Sequence, residues 1–482
     1  MTAPDLAAFY QMPPDERLRA VRRNHVDAGT LTTWFGSDAA AAYQALAARR
    51  SDHLAGGPLN LIFVPGVMGS LLYSDGLTGV WWIDVRTRSH IDDLRLSADG
   101  RSDINPVFAI RPFGIDPSYE PFFAALLERD DFRQTTFPYD WRKPISIAAR
   151  ALRERIDAIY ETNGNVRIHL VAHSMGGLVV RNMLMAHGDD ALWKKIGRIV
   201  FVGTPHYGSP SIASYVAHHL WGMEWLALLG RLLSRATFRS FRGVLSLLAA
   251  PAGIYPGSAT KAVVTGGNAN FSYAHPCSNF NLYEAAEWDL GLTDEETRQL
   301  QTALDDVAQF HAEMSAAHEA LLSERKERML MIAGVGYRSV FRLDRGTTVL
   351  GKTTFDKLTS RVEGDVHRES DGRVPLASAM LPRVETRYVR GIHGALTNIP
   401  VVYEDVFRWL NAQPLQLSTS AKAALSSHLS TDAPAPALDR SILATGDDPG
   451  YLNEAVAEET IDELTANLDA GGGAELNLTR IL

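Results

Sequence analysis

Short apolar runs alternate with amphipathic segments through the first half of the chain. Strand-like runs lie at residues 61–64, 166–171 and 198–202, and an amphipathic helix is predicted over 145–160. Parallel strands need long helical connections between them, so this alternation over residues 57–210 indicates an α/β fold. We therefore predict a mostly parallel, doubly wound sheet.

Changes in this rhythm divide the chain into three predicted parts. Residues 1–56 are rich in alanine and predict an N-terminal helical extension. Residues 57–411 are predicted to form the main α/β domain, with an insertion at about 209–290 where the alternation breaks. Residues 412–482 predict a linker and an acidic tail, because Ser, Thr, Ala and Pro dominate residues 417–436.

Charge is distributed unevenly along the chain. The formal net charge is −9, and residues 431–482 alone hold eleven acidic residues against two arginines. The rest of the chain is therefore close to neutral, which argues against nucleic-acid binding because that function needs a basic stripe. Within the tail, residues 453–464 could form an acidic helix that docks on a protein partner or on the main domain; disorder is the alternative.

Cysteine usage and the N-terminal sequence bear on the compartment. Cys277 is the one cysteine, so no internal disulfide can form. The N-terminus lacks the basic start and apolar core of a signal peptide, and no apolar run is long enough to span a bilayer. These features predict cytoplasmic residence.

Ser174 lies between a strand-like run and a helix-compatible stretch, within Ala172-His173-Ser174-Met175-Gly176. Strand, sharp turn and helix with serine at the apex are typical of a nucleophile elbow, whose strained backbone needs small residues two positions before and after the serine. Ala172 and Gly176 meet this need. A five-residue match is common by chance, so further residues must support it.

A catalytic serine needs a histidine to accept its proton and a carboxylate to orient that histidine. In elbow-bearing hydrolases these follow in the order Ser, Asp or Glu, His. Asp371 lies in a predicted tight turn and His393 follows a strand-like run, in that order. Each alone has a commoner use, as a turn former or a loop histidine; together they predict a triad. Asp365 and Glu369 are the alternative acids.

The oxyanion that forms during acyl transfer needs preorganised N–H donors. These usually come from the residue after the nucleophile and from a loop after an early strand. Met175 follows Ser174, and Val67 follows Pro65-Gly66 after the first strand-like run. Both amides are candidate donors, although Pro65-Gly66 also fits an ordinary turn that ends a strand.

Seven short motifs resemble the lecithin:cholesterol acyltransferase family in order and rough spacing. Tyr139-Asp140-Trp141-Arg142 is the most specific of them, because no general rule for hydrolases demands it. The resemblance runs from about residue 59 to 410, through the following motifs: Val64 to Ser70, Val80 to Asp84, Pro138 to Arg142, Ala172 to Gly176, Gly203 to Ser209, Asp371 to Pro375, and Ile392 to Gly394.

The resemblance implies an α/β-hydrolase fold with a helical cap, and a serine-dependent phospholipase A or O-acyltransferase. Such enzymes move a fatty acyl chain from a glycerophospholipid to an alcohol or to water, so the implied partner is a lipid or acyl-ester substrate. The implied functional residues are the triad, two oxyanion donors and a lid tryptophan: Ser174, Asp371, His393, Val67, Met175 and Trp82.

Some features depart from the family pattern. Secreted animal members close the lid with a disulfide, which Cys277 alone cannot form. Ser370 stands where glycine often precedes the catalytic acid, and Arg373 where a small residue is usual. Substrate preference therefore stays open. The alternatives are a general carboxylesterase or triacylglycerol lipase, and a non-enzymatic interaction protein on the same fold.

The insertion has two interpretations. Residues 220–229 are apolar and aromatic, and four arginines follow them at Arg231, Arg235, Arg239 and Arg242. Such a segment forms either a cap that admits acyl chains or makes peripheral membrane contact, or an apolar face that packs on the core. A long helix is predicted after it, over about 294–328.

Other chemistry has little support in the sequence. His218-His219 and the pair His275 and Cys277 lack the paired spacing of a zinc site, so structural or solvent roles are predicted for them. No phosphate-binding loop or dinucleotide fingerprint occurs. We predict no metal and no cofactor. His206, near the elbow, is a candidate for substrate contact but not for catalysis.

Overall fold

A computed structural model describes residues 8–9, 12, 14–35, 37–48, 59–74, 79–82, 92–106, 109–129, 131–186, 188–217, 234–258, 275–277 and 279–426 of the protein. The strands in these ranges are β1 (Leu59–Val64), β2 (Ser70–Ser74), β3 (Gly79–Trp82), β4 (Ile110–Ile115), β5 (Phe132–Thr136), β6 (Ile168–His173), β7 (Ile196–Val202), β8 (Met329–Val335), β9 (Ser339–Thr347), β10 (Thr353–Ser360) and β11 (Glu385–Arg390).

The α-helices in the same ranges are α1 (Pro14–Arg22), α2 (Ala28–Phe35), α3 (Ser37–Ala48), α4 (Glu120–Leu127), α5 (Ile145–Thr162), α6 (Met175–Ala186), α7 (Asp190–Lys195), α8 (Pro210–Val216), α9 (Arg235–Ser240), α10 (Arg242–Leu245), α11 (Asp294–Ala320), α12 (Ser323–Lys326), α13 (Leu376–Ala379), α14 (Pro400–Leu410) and α15 (Ala421–Ser426). Short 3-10 helices occur at Pro117–Tyr119, Ala285–Trp288 and His393–Asn398.

The main sheet has six strands in the order β11-β8-β7-β6-β1-β5. Every neighbouring pair in it is parallel. Two smaller antiparallel units accompany it, a sheet of β3, β2 and β4 and a hairpin of β9 and β10. Parallel neighbours require crossover connections, which the helices supply, so the predicted α/β fold with a doubly wound sheet is confirmed.

Alternation along β1 shows how the sheet is covered on both faces. Leu61 and Phe63 point to the face that α4 and α14 cover, whereas Ile62 and Val64 point to the face covered by α5 and α6. Since both faces are buried, the strand reads as a continuous apolar run rather than as an alternating one. This is why sequence periodicity alone located the strand but not its two faces.

The N-terminal helices α1 to α3 pack against the α4 side of the main domain. Arg17 on α1 forms an ion pair with Glu120 on α4 at 2.7 Å, and both side chains are 1% exposed. Arg17 also donates to the carbonyl oxygen of Ile115 at 3.0 Å. A buried ion pair is costly to break by removing one partner, so this contact fixes the position of α1.

Part of the predicted insertion packs as core. Residues 220–229 and Arg231 lie outside the described residues. Every residue from 241 to 250 is buried, and Gly243 donates its amide to the carbonyl oxygen of Arg142 at 2.9 Å. Residues 241–250, which include Arg242, are therefore part of the core, and the two interpretations of the apolar stretch 220–229 stay open.

Two segments differ from their predicted bounds. The long helix ends at Ala320 rather than near 328, because the chain turns extended at Leu321 before α12 begins. A linker was expected from residue 417, yet the side chain of Leu417 is buried and its amide donates to the carboxylate of Asp405 at 2.7 Å. The acidic helix expected at 453–464 lies outside the described residues.

Candidate active site

Ser174 lies between β6 and α6, at the carboxyl edge of the parallel sheet. Its φ of 50° is in the left-handed region that a non-glycine residue rarely adopts. The surrounding backbone fixes this conformation: the Ser174 amide donates to Val202 O at 2.9 Å, and the Gly177 amide donates to Ser174 O at 3.0 Å. The geometry is that of a strained elbow.

The two glycines after the elbow are required by close contacts rather than by their φ angles. A Cβ atom at Gly176 would lie 2.4 Å from the carbonyl oxygens of Val64 and Pro65. A Cβ atom at Gly177 would lie 2.1 Å from Thr204 Oγ1. Helix α6 can therefore approach the end of β1 only because Gly176 has no side chain, and it can approach Thr204, just after β7, only because Gly177 has none.

His393 lies within hydrogen-bond distance of both other residues of the predicted triad. His393 Nε2 is 2.9 Å from Ser174 Oγ, and His393 Nδ1 is 2.7 Å from Asp371 Oδ2. The His393 amide also donates to the carbonyl oxygen of Asp371 at 2.9 Å. Because the carboxylate can only accept at Nδ1, His393 carries its proton there and offers Nε2 to the serine hydroxyl.

The turn that carries Asp371 orients its carboxylate. Asp371 Oδ1 accepts the amides of Arg373 at 2.9 Å and Val374 at 2.8 Å, which leaves Oδ2 for His393. The alternative acids have other partners: Glu369 accepts the Gly336 amide at 2.7 Å, and Asp365 accepts an amide within its own turn. Asp371 is the acid that the structure brings to His393.

The segments with the two predicted oxyanion donors flank Ser174. Val67 lies within a turn after β1 that is closed by a hydrogen bond from the Gly69 amide to Gly66 O at 3.1 Å. A Cβ atom at Gly66 would lie 3.0 Å from Ser174 Cβ, so this turn passes directly beside the serine. Met175 begins α6, where backbone N–H groups have no partner within the helix.

Trp82, the predicted lid tryptophan, is the last residue of β3. Its backbone pairs with Leu72 on β2, the strand that follows the turn containing Val67. The tryptophan is therefore connected through one strand pair to the segment that passes beside Ser174.

The Tyr139-Asp140-Trp141-Arg142 motif supports the turn that contains Val67. The Tyr139 hydroxyl donates to Pro65 O at 3.1 Å, and the Tyr139 amide donates to Ser70 Oγ at 3.0 Å. Trp141 Nε1 donates to Ser70 O at 3.2 Å. The motif thus holds the turn at both of its ends.

Arg142 ties the same motif to the segment 92–106. Its guanidinium binds both carboxylate oxygens of Asp140, forms an ion pair with Asp103 at 2.9 Å and donates to Leu94 O at 2.7 Å. Burial by itself lowers the pKa of Arg142, but the two carboxylates outweigh it and the pKa is raised. The planar fork of arginine is suited to this number of fixed acceptors.

Sequence reasoning missed Tyr119 and His173 as parts of the site. The Tyr119 hydroxyl lies 2.8 Å from His173 Nδ1 and accepts the Gly66 amide at 3.0 Å, while His173 Nε2 lies 3.0 Å from His393 O. Burial lowers the pKa of His173 to about 3, so the ring is neutral at working pH. A histidine within a fully buried strand could have indicated that His173 has a role in the site. The sequence around Tyr119 offers no comparable signal.

Four other histidines were considered in the sequence analysis, and two of them lie among the described residues, where both are buried. His206 is buried, and its ring packs edge-on against Phe201 at a centroid distance of 4.9 Å, so its contact with substrate stays a prediction. His275 Nδ1 accepts the amide of Cys277 at 3.1 Å and both residues are buried. His218 and His219 lie outside the described residues, among which no three His, Cys, Asp or Glu side chains converge as metal ligands.

An elbow serine with a histidine and an aspartate at the carboxyl edge of a parallel sheet defines an α/β-hydrolase. Within this class, the resemblance to the lecithin:cholesterol acyltransferase family is confirmed, since the model of that family matches residues 129–315. The match includes the Tyr139 to Arg142 motif and Ser174, and it ends before Asp371 and His393.

Two curated proteins show similarity over short regions. Phospholipase A(1) LCAT3 of Arabidopsis thaliana is 28% identical over 76 residues, which cover 15% of this chain and 17% of that protein. An uncharacterized protein of Saccharomyces cerevisiae is 27% identical over 155 residues, which cover 30% of this chain and 23% of that protein. The chain thus spans less than a quarter of the length of either relative.

Three solved structures are similar at low identity. The Tle4–Tli4 complex gives a TM-score of 0.44 at 14% identity, with coverage of 73% of this chain and 97% of that one. The mature lipase BlEst2 of Bacillus licheniformis gives 0.35 at 14% identity, with 75% and 95% coverage. The metagenomic carboxyl esterase MGS0156 gives 0.33 at 14% identity, with 75% and 77% coverage.

Proposed function

We propose that the protein is a serine-dependent lipid ester hydrolase or O-acyltransferase that acts on phospholipid-type acyl esters through an acyl-enzyme intermediate. The observation that carries this proposal is the line of hydrogen bonds from Asp371 through His393 to the strained Ser174. Nucleophile, base and orienting acid stand in the geometry that acyl transfer requires.

Acylation begins when Ser174 Oγ attacks the acyl carbonyl carbon and transfers its proton to His393 Nε2. Asp371 stabilises the imidazolium through Nδ1–H and stays ionised. The amides of Val67 and Met175 donate to the oxyanion. When the tetrahedral intermediate collapses, the bond to the alcohol oxygen breaks, and His393 returns the proton to that oxygen as the lysolipid leaves.

Deacylation repeats these steps with a second nucleophile. Water or an acceptor alcohol gives its proton to His393 Nε2 while its oxygen attacks the acyl carbon, and the regenerated Ser174 takes the proton back. Hydrolysis and transfer therefore use the same residues and differ in which hydroxyl reaches the acyl-enzyme.

Two observations support a phospholipid-type substrate over a short soluble ester. The family model that matches residues 129–315 describes lecithin:cholesterol acyltransferases, whose acyl donor is a phospholipid. The Tyr139 to Arg142 motif, for which general hydrolases have no requirement, contacts the turn beside the serine at Pro65 and Ser70.

The test measures fatty acid release from phosphatidylcholine vesicles and from a short-chain soluble ester. Native protein is compared with Ser174→Ala and with the control Ser323→Ala, which changes an exposed serine just before β8, at the opposite edge of the sheet. A fluorophosphonate probe followed by peptide mass spectrometry identifies the modified serine independently of the substrate.

We expect both activities and the labelling to disappear in Ser174→Ala and to persist in Ser323→Ala. Serine-dependent turnover of the soluble ester alone would replace the proposal with a general carboxylesterase. Absence of labelling and of turnover in the native protein would favour an interaction protein on this fold.

A further inference from the structure

The tip of the β9–β10 hairpin exposes two consecutive aliphatic side chains. Val349 and Leu350 have relative exposures of 105% and 96%, the highest among the exposed large apolar residues of the described chain. The turn that carries them is closed by two hydrogen bonds, from the Thr348 amide to Lys352 O at 2.8 Å and from the Gly351 amide to Thr348 O at 2.9 Å. The tip is therefore a hydrogen-bonded turn.

The hairpin rises from the edge of the sheet where the proposed triad lies. It begins shortly after β8 ends, and Tyr337 at its base donates its amide to the carbonyl oxygen of Ser370, the neighbour of Asp371, at 3.0 Å. Strand β9 has nine residues, about 30 Å when extended, so the tip stands well away from this base.

The insertion supports the hairpin along its length. Phe355 on β10 packs against Phe280 at a ring distance of 5.3 Å, and the Arg345 amide donates to Asn279 Oδ1 at 3.0 Å. Strand β9 also contacts α8. The hairpin and the insertion thus form one body beside the site, and the exposed pair lies at its end.

The β9–β10 hairpin as a whole carries a net positive charge. The hairpin carries four basic and two acidic residues, and the basic residue next to the exposed pair, Lys352, is itself exposed. The residues that flank the pair on its other side are threonines. An aliphatic pair beside a lysine suits a surface that is apolar inside and anionic outside.

We propose that the tip of this hairpin, residues 347–352, docks on a lipid surface, with Val349 and Leu350 inserted below the headgroups and Lys352 among anionic headgroups. This proposal deepens the proposed function, on which it rests, because the hairpin begins beside Ser370 and would turn the edge that contains Ser174 towards the membrane that carries the ester. A lipid surface suits the tip better than a protein groove, since protein hot spots favour aromatic residues and arginine, and the tip has neither.

The first test measures binding to sedimented vesicles of phosphatidylcholine alone and of phosphatidylcholine with phosphatidylserine. The double variant Val349→Ser, Leu350→Ser is compared with Leu322→Ser, which removes another exposed leucine, 52% exposed, just before α12 at the opposite edge. All proteins also carry Ser174→Ala, so that no lipid is consumed.

Full burial of one aliphatic side chain corresponds to about tenfold in affinity or more. We therefore expect the double variant to bind both kinds of vesicle at least tenfold more weakly, and Leu322→Ser to bind as the parent does. Lys352→Gln is expected to weaken binding to the anionic vesicles only.

Activity supplies a second readout in the catalytically intact protein. The double variant should keep native turnover of the short soluble ester and of detergent-dispersed phospholipid, and lose turnover on vesicles at low lipid concentration. Added vesicle lipid should restore it, because binding rather than chemistry is impaired.

A labelled tip gives a direct report of insertion. Leu350→Cys can be labelled selectively with a polarity-sensitive fluorophore, since Cys277 is buried and burial raises the pKa of its thiol. We expect a blue shift with vesicles and none for the label at Leu322→Cys.

Failure of this proposal differs from failure of the proposed function. Unchanged vesicle binding in the double variant, or a change confined to self-association in sedimentation, would overturn the docking role even if phospholipid is cleaved. Normal tip-dependent binding without any phospholipid cleavage would keep the docking role and overturn the proposed substrate.

Discussion

The imidazole of His173 donates from Nε2 to the backbone carbonyl oxygen of His393, at 3.0 Å. Since a carbonyl oxygen only accepts, the proton must be on Nε2, and Nδ1 accepts from the Tyr119 hydroxyl. The oxygen of Tyr119 in turn accepts the Gly66 amide. One neutral chain of hydrogen bonds therefore joins the turn beside Ser174 to the loop that carries the proposed base.

Replacing His173 by phenylalanine should misplace both ends of that chain. We expect kcat on a soluble ester to fall about 100-fold, as misplacement of about 1 Å can do, with little change in KM. Tyr119→Phe removes one link only and should cost less. The double variant should resemble His173→Phe, because the residues act through one network. Additive losses in kcat would mean that the two residues act separately.

Replacing Asp371 by asparagine keeps the shape of the turn but not the charge. The amide cannot hold the proton of His393 on Nδ1, so we expect kcat to fall about 10⁴-fold with only a small change in KM. Glu369→Gln is the matched control and should leave turnover close to native, since Glu369 binds the Gly336 amide instead. Equal losses in the two variants would remove Asp371 from its assigned role.

Replacing Arg142 by methionine should destabilise the fold. The variant leaves the Asp103 carboxylate without its cation and leaves Asp140 with Lys143 alone, at 3.4 Å. Because both carboxylates are largely buried, we expect the free energy of unfolding to fall by about 3–5 kcal/mol in urea titrations. Arg298→Met is the control: its ion pair with Glu295 is exposed to solvent, so the free energy of unfolding should stay close to native. Similar losses in both would show that the burial of Arg142 does not matter.

The stability of the protein should depend on pH through Asp116. Burial raises the pKa of its carboxyl to about 7, above the ordinary value of 3.8. Between about pH 4 and pH 7, the folded state therefore keeps a proton on Asp116 that the unfolded state has lost. The group's contribution to stability is fully present below about pH 4, and it is lost as the pH rises through about 7.

Asp116→Asn should remove that dependence. At about 1.4 kcal/mol per pKa unit, we expect the native protein to lose a few kcal/mol relative to Asp116→Asn between pH 4 and 8, in urea unfolding at several pH values. The amide oxygen can still accept the Ser118 amide, which Asp116 Oδ1 accepts at 2.8 Å. Asp99→Asn, where a hydrogen bond from Ser97 lowers the pKa, should not reproduce the effect.

The sequence predicted those features whose signal is local or ordered along the chain. Apolar runs located the strands, and the Asp371 turn and His393 were recognisable because they follow Ser174 in the order of a known constellation. Contacts between residues that are far apart in the sequence have no local pattern by which they could be predicted. Nothing local links Tyr139 to Pro65, or Arg142 to Leu94 and Asp103.

Segment ends were harder to predict, for a similar reason. Leu321 and Leu322 continue the apolar character of α11, so helical periodicity gave no sign of the break there. Leu417 lies in a stretch of linker-like composition, but the buried carboxylate of Asp405 binds its amide. A change of backbone conformation at Leu321 ends the helix, and a tertiary hydrogen bond to Asp405 orders the chain at Leu417. Composition indicates neither of these.

The parallel sheet places Ser174 after a central strand and His393 after β11, the strand at one edge of the main sheet, next to β8. Strands that are far apart in the sequence pair slowly, and β11 is the last strand among the described residues. During refolding, Ser174 can therefore become buried before His393 comes into hydrogen-bond distance of it. Recovery of turnover would then report the addition of the final strand, and it would lag behind probes of general compaction.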